Sequence, residues 1–356
     1  MKRYLSILLI LILVVGAVFA VRFYQPSNSS EIKNTLITTE STSQQESKDY
    51  ISPISIDYLR NLTIDSDAPV IEEVLPNGGN YKKYVASYLS EGYKIFGLLA
   101  VPETEMPEGG FPAIVFNHGY IPPTLYKTTE NYVSYVDVLA RNGFVVFKID
   151  YRGNGESEGD PSGSYFSSDY AIDAISALRS LQKHESVSPS RIGFWGHSMA
   201  GNLVLRSMLV SSDIKAGVIW AGAVYSYEDF GKYSISDNSY RPPSQPSTSP
   251  PSKNRETSPE IQKMRSDPDS VDFNSNFWTS ISLTENINYL GHPIQLHHAV
   301  DDAVVNIGYS RDLVEVLKGA NKDYEFYEYT GGGHNITSPH FDTAMQRTIQ
   351  FFKANL

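Results

Sequence analysis

Between Ala113 and Ala354 the chain repeats one pattern, a short apolar run, a polar or glycine-rich turn and a longer amphipathic segment. This alternation restricts the fold more than any other feature. The runs Ala113–Phe116, Phe144–Ile149, Arg191–Trp195, Ala216–Trp220, Ile294–His298 and Tyr324–Tyr329 have the length and composition of buried strands. The segments near Tyr132–Arg141, Asp169–His184, Met199–Leu209, Ser310–Leu317 and Phe341–Ala354 carry helical spacing. Strands that alternate with helices build βαβ units, so an α/β fold with a mostly parallel central sheet flanked by helices is expected. In such sheets ligands bind beyond the carboxyl ends of the strands. Upstream, Lys82–Pro102 alternates polar and apolar residues around Glu91-Gly92 and predicts a β-hairpin.

The segment Gly196-His197-Ser198-Met199-Ala200-Gly201 lies between a strand candidate and a helix candidate. A serine on such a sharp turn lifts its hydroxyl above the sheet, while small neighbours let strand and helix approach closely. The free N–H groups at the start of the following helix can meet a developing negative charge. Ser198 is therefore the candidate nucleophile, although Ala200 stands where the G-x-S-x-G pattern has glycine.

A serine hydroxyl needs a base to take its proton. Of the eight histidines, His197 is expected to leave the turn in a different direction from Ser198, and His340 to open the last helix. His297 and His298 are neighbours on one strand, so they point to opposite faces and make a poor pair for a metal. His334 lies in Gly331-Gly332-Gly333-His334-Asn335, a flexible loop between the last strand and the last helix. In the chain order serine, acid, histidine it is the general base. A carboxylate should orient its ring, and Asp301 and Asp302 both follow the strand Ile294–His298. For the oxyanion, the backbone N–H of Met199 is one donor. The loop after the first parallel strand, Phe116-Asn117-His118-Gly119-Tyr120, offers the backbone N–H of Tyr120 as the other. The run Asp150-Tyr151-Arg152-Gly153 follows a further strand and is assigned to structural support, with Asp150 or Arg152 paired internally.

Composition narrows the partners. The 356 residues carry 29 Lys+Arg against 40 Asp+Glu, a formal charge of −11, which argues against nucleic acid as a ligand. With no cysteine there is no disulfide, thiolate metal site or cysteine nucleophile. Serine-based acyl transfer needs neither metal nor organic cofactor, and its partner is a small-molecule ester or a short peptide. At the N-terminus, Lys2 and Arg3 precede the apolar run Leu5–Val21. Residues 1–24 thus fit either a signal peptide or a membrane-inserting anchor, and the protein is expected to be exported, anchored or secreted. Residues 25–49, rich in Ser and Thr, read as a flexible linker, and 50–356 as the catalytic domain. Within it, 233–285 interrupts the alternation. Its stretch Tyr233–Pro259 contains Arg241-Pro242-Pro243 and Pro250-Pro251 and is expected to form a surface loop without strand or long helix. The other reading is a cap that turns Phe273, Phe277 and Trp278 toward substrate.

These segments, in this order, resemble the α/β-hydrolase fold, and within it the catalytic domain of the prolyl oligopeptidase family of serine peptidases. The resemblance covers about residues 85–356. It runs from Tyr88-Leu89-Ser90-Glu91-Gly92 through Asn117-His118-Gly119, Asp150-Tyr151-Arg152-Gly153, Gly196-His197-Ser198-Met199 and His298–Val305 to Gly333-His334. In that family the acid lies four residues after a histidine and three before a valine. Asp302 meets both conditions, with His298 before it and Val305 after it, so the resemblance implies the triad Ser198, Asp302, His334. Ala200 and Ala299 stand where the family has glycine, and Tyr120 where peptidase members carry a second glycine. The segment before residue 85 is too short for the propeller of true oligopeptidases. A carboxylesterase of the same fold is therefore the rival activity, and a non-catalytic hydrolase-fold binding module the alternative from another class.

Overall fold

Among the described residues the apolar runs join one nine-stranded sheet in the order β1-β2-β3-β5-β4-β6-β7-β8-β9. A computed structural model describes residues 50–233 and 252–356. The N-terminal apolar segment, the linker and the proline-rich part of the insert lie outside the described residues. The strands are β1 (Val70–Leu75), β2 (Tyr81–Ser90), β3 (Tyr93–Pro102), β4 (Phe111–Asn117), β5 (Val145–Ile149), β6 (Val187–His197), β7 (Gly217–Trp220), β8 (Ile294–Ala299) and β9 (Tyr324–Tyr329). The helices are α1 (Ile56–Arg60), α2 (Val133–Arg141), α3 (Asp169–Gln182), α4 (Met199–Val210), α5 (Asp229–Tyr233), α6 (Pro259–Ser266), α7 (Asn276–Ile281), α8 (Gly308–Gly319) and α9 (Phe341–Asn355).

β2 and β3 form the expected hairpin, and its turn places both Glu91 (φ 49°) and Gly92 (φ 86°) in the left-handed region that a two-residue loop between twisted strands demands. β1 is an antiparallel addition on the outer edge that the pattern did not announce, because its residues are almost all exposed. From β5 to β9 every pairing is parallel. This is the α/β-hydrolase architecture, a mostly parallel sheet with helices on both faces.

Burial on both faces explains the unbroken apolar runs. Along β4, Ala113 and Val115 enter the cluster that holds Leu178 of α3, Leu203 of α4 and Leu313 of α8. Ile114 and Phe116 enter the opposite cluster, with Leu139 of α2 and Phe352 of α9. Alternate side chains of one strand thus serve two cores.

β4 lies between β5 and β6, so the chain leaves β4 toward one side and β6 toward the other. At such a reversal the loops beyond the two strands diverge and open a crevice. The loops in question carry Gly119-Tyr120 and Ser198.

The described part of the insert is not a plain surface loop. Residues 252–258 have no helix, as expected, and pair with the main body through a bridge between Ser167 and Arg255. The helices α6 and α7 then bury Ile261, Met264, Trp278 and Ile281 against Ile54 and Tyr227. The cap reading that turns Phe273, Phe277 and Trp278 toward substrate is corrected for Trp278, while Phe273 and Phe277 stay half-buried beside it. Trp278 is 3% exposed, and the rings of Phe273 and Phe277 each lie 5.1 Å from it. Helices this short bury little surface alone, and Trp278 is drawn into a small core. Among the described residues, no helix is long and apolar enough to cross a membrane.

Candidate active site

Ser198 follows the last residue of β6 and precedes the first of α4. Its backbone sits at φ 56°, ψ −121°, a conformation that costs a non-glycine residue of order 1–3 kcal/mol. Its N–H donates to the carbonyl of Trp220 at the end of β7 (2.9 Å), which holds the turn against the sheet. The glycines around it answer the question raised by Ala200. A Cβ on Gly196 would stand 2.7 Å from the Ala200 carbonyl oxygen, and one on Gly201 would stand 2.5 Å from the Gly222 Cα. The close approach of helix to sheet therefore needs glycine at positions 196 and 201. Ala200 is fully buried without needing to be glycine.

His334 and Asp302, apart in sequence, meet at the same end of the sheet. His334 Nδ1 lies 2.8 Å from Asp302 Oδ2. The other carboxylate oxygen, Oδ1, accepts the backbone N–H groups of Val304 (2.8 Å) and Val305 (3.0 Å). Burial pushes the Asp302 carboxyl up, but hydrogen bonds from His298 and His334, the His334 charge and the Val305 N–H outweigh it and hold the group well below the ordinary carboxylate range. Asp301 does not touch the imidazole. Its Oδ1 accepts the Gly333 N–H at 2.9 Å and so steadies the loop that carries His334.

Three further residues belong to the constellation and were not singled out for it from the sequence. Buried His298 places Nε2 3.2 Å from Asp302 Oδ2 and 3.0 Å from the Val305 carbonyl, with Nδ1 2.8 Å from Ser310 Oγ. His297 points to the other face, as alternation requires, and meets Tyr329 Oη (2.8 Å) and Gln295 Oε1 (2.6 Å). His197 does turn away from Ser198, and what it turns toward is His334. The two rings lie 4.6 Å apart, and His197 Nε2 is 2.9 Å from the His334 carbonyl oxygen. The Nδ1 of His197 is 2.7 Å from Tyr132 Oη, which also accepts the Gly119 N–H at 3.1 Å. No local motif marks Tyr132. The nearest signal in the sequence is its place before α2, where it takes the left-handed φ of 58°.

The candidate oxyanion loop reaches the nucleophile. A Cβ on Gly119 would lie 3.1 Å from Ser198 Cβ, 3.1 Å from His197 Nδ1 and 2.9 Å from Tyr132 Oη. Only glycine fits there, and Tyr120 follows it directly. Met199 is the first residue of α4, where backbone N–H groups have no acceptor within the helix. Beside this loop a recess of about 350 Å³ is lined by residues 130–135 and Asn335.

Residues 112–338, more than half of the chain, match the family described as serine aminopeptidase, S33. The chain belongs to that family. An uncharacterized peptidase of Bacillus subtilis, YtmA, is 31% identical over 41% of this chain and 54% of its own length. Protein ABHD12B of Homo sapiens is 24% identical over 61% of this chain and 52% of its own. The chain thus spans about half the length of these two curated relatives. Among solved structures, an acetyl xylan esterase from Paenibacillus sp. R4 superposes with a TM-score of 0.59 at 18% identity, covering 85% of this chain and 92% of that one. The chain is therefore an S33 family member that shares the α/β-hydrolase fold of that esterase.

Behind the site of this S33 hydrolase lie two buried polar clusters. In the first, Arg152 bonds to Asp173 (2.6 Å), Asp169 (2.8 Å) and Glu91 (3.1 Å), with both aspartates fully buried. Ser252 and Asn254 add bonds to Asp169, so the insert is fastened to the same cluster. In the second, Asp150 accepts from Tyr126 Oη (2.7 Å) and Thr128 Oγ1, and Lys148 Nζ donates to Tyr126 Oη (3.0 Å). Burial raises the Asp150 carboxyl and lowers the Lys148 amine to about 8. The expected internal pairing is present for both Asp150 and Arg152. His118 stacks on Tyr126 at 4.3 Å, and the His118 carbonyl accepts from Tyr151 Oη (3.0 Å), so these bonds brace the root of the Gly119 loop.

Proposed function

We propose that this hydrolase cleaves amide bonds of short peptides by acyl transfer, with Ser198, His334 and Asp302 as its catalytic triad. The observation that carries the reading is the 2.8 Å contact between His334 and Asp302, made at the same sheet end as a serine held at φ 56°. Ser198 Oγ attacks the carbonyl carbon while His334 takes its proton. Asp302 fixes the ring tautomer and stabilises the imidazolium. The tetrahedral oxyanion is met by the backbone N–H groups of Met199 and Tyr120, each worth roughly 3–4 kcal/mol in sites of this kind. On collapse His334 returns the proton to the leaving amine, and water then releases the acyl group by the same steps. The choice of peptides over esters rests on the family and on the printed name of the Bacillus relative.

The test uses a fluorophosphonate probe and two substrate panels, aminoacyl or prolyl amides and short acyl esters. Wild type should take up one label, and Ser198→Ala none. Equal labelling of both proteins would overturn the nucleophile. Turnover of the esters with no turnover of any amide would leave the acyl-transfer mechanism standing and replace peptidase by carboxylesterase. We also infer export through residues 1–24, from Lys2 and Arg3 ahead of the Leu5–Val21 run. Recovery of the full chain only in the cytosolic fraction would refute export.

A further inference from the structure

We propose that Tyr132 and His197 are positioning residues that couple the oxyanion loop to the backbone of His334. The inference rests on the reading of His334 as general base and adds how that base is held in register with the oxyanion donors.

The direction of every proton in this chain follows from one group. The His334 carbonyl can only accept, so at 2.9 Å it must receive the Nε2–H of His197. Burial, followed by the charge of His334, pushes His197 down to about 3, so the ring is neutral and has one proton to give. Its Nδ1 is then an acceptor, and the Tyr132 hydroxyl, 2.7 Å away, must donate to it. The Tyr132 oxygen in turn accepts the Gly119 N–H at 3.1 Å. The path Gly119 to Tyr132 to His197 to His334 thus runs one way, with no donor facing a donor.

Its two ends are the parts of the proposed site that must move least. Gly119 precedes the proposed donor Tyr120, and His334 is the proposed base. Other tethers act on other atoms of the same loop, among them Asp302 on the imidazole, Asp301 on the Gly333 N–H, and Tyr135 Oη on the Asn335 carbonyl at 3.2 Å. Tyr132 can bear load because its ring is fixed between Phe116 (5.7 Å) and Tyr135 (5.5 Å). An error of about 1 Å in such a site can cost on the order of 100-fold in rate.

The experiment is a double-mutant cycle on kcat and KM, with p-nitrophenyl acetate as the probe and Tyr132→Phe, His197→Phe and their combination as variants. Each single variant should lower kcat by about 10- to 100-fold with KM changed by less than about 3-fold. The combination should be no worse than the weaker single, because both break one path. Thermal melting identifies folded protein, and Tyr132→Phe keeps the ring packing. His334→Ala and Ser198→Ala run alongside. If these two are inactive while Tyr132→Phe and His197→Phe keep wild-type kcat, the coupling is wrong and the triad stands. Multiplicative losses in the double variant also overturn it. If His334→Ala retains full turnover, the base assignment fails first and takes the coupling with it.

Discussion

Replacing Asp302 by Asn changes one oxygen to NH2 and keeps the shape. The two backbone N–H groups of Val304 and Val305 hold Oδ1 at 2.8 and 3.0 Å, so the amide oxygen takes that place. The amide nitrogen then falls where Oδ2 was, 2.8 Å from His334 Nδ1 and 3.2 Å from His298 Nε2. An NH2 cannot accept a proton, so His334 must carry its hydrogen on Nε2 and present Nδ1 as acceptor. A base protonated at Nε2 cannot receive the serine proton, and no carboxylate remains to stabilise the imidazolium. Loss of this kind costs roughly 10⁴ in kcat, about 5 kcal/mol of barrier. The fold should lose far less, about 1–3 kcal/mol for one charged hydrogen-bond partner. That smaller gap has a pH signature. Because the folded carboxyl is held below its ordinary 3.8, its stabilisation is complete above that pH and is lost as pH falls through the folded value. Wild type should therefore exceed Asp302→Asn at pH 8, and this carboxyl's contribution to the margin should vanish in strong acid. Steady-state ester hydrolysis and urea unfolding measure the two quantities. A folded Asp302→Asn protein with kcat within tenfold of wild type would refute the assignment.

Other outcomes follow from the same coordinates. Gly119→Ala brings a methyl to 3.1 Å from Ser198 Cβ and 2.9 Å from Tyr132 Oη, so activity should fall at least about tenfold. Unchanged kcat would mean that the loop has room the geometry denies. Arg152→Met leaves Asp169 and Asp173 buried without their cation and should cost about 3–5 kcal/mol in urea unfolding. A loss below about 1 kcal/mol would show that the insert, rather than the arginine, holds that region. His297, pushed down to about 3 by burial, stays neutral when the unfolded chain, at its ordinary 6.5, takes a proton. Its contribution is complete above pH 6.5 and drains away as pH falls toward 3, by about 2 kcal/mol between pH 7 and 5. His297→Gln should lose that much less than wild type over the same interval, and equal losses would contradict the linkage.

The alternating periods and the sharp turn at Ser198 could be read from the amino acids, because each is set within a short window, whereas Asp302 was separated from Asp301 only by the resemblance to a family. β9 was bounded at Tyr324–Tyr329 and α4 to within one residue on such patterns alone. The edge strand β1 escaped notice because it is exposed and carries no buried face. Windows of this length also say nothing about partners 32 to 137 residues away. That Asp302 reaches the imidazole while Asp301 holds the Gly333 N–H depends on how the end of β8 lies beside the end of β9. That His197 turns to the His334 carbonyl and to Tyr132 depends on β6 lying beside β4, under α2 and next to the last loop. Trp278, which the cap reading turns toward substrate, packs instead into a small core, since an aromatic ring gains more from buried apolar contact than from open solvent. Periodicity and turn chemistry are written locally, whereas the meeting of side chains across loops is written by strand order, which the folded sheet alone supplies.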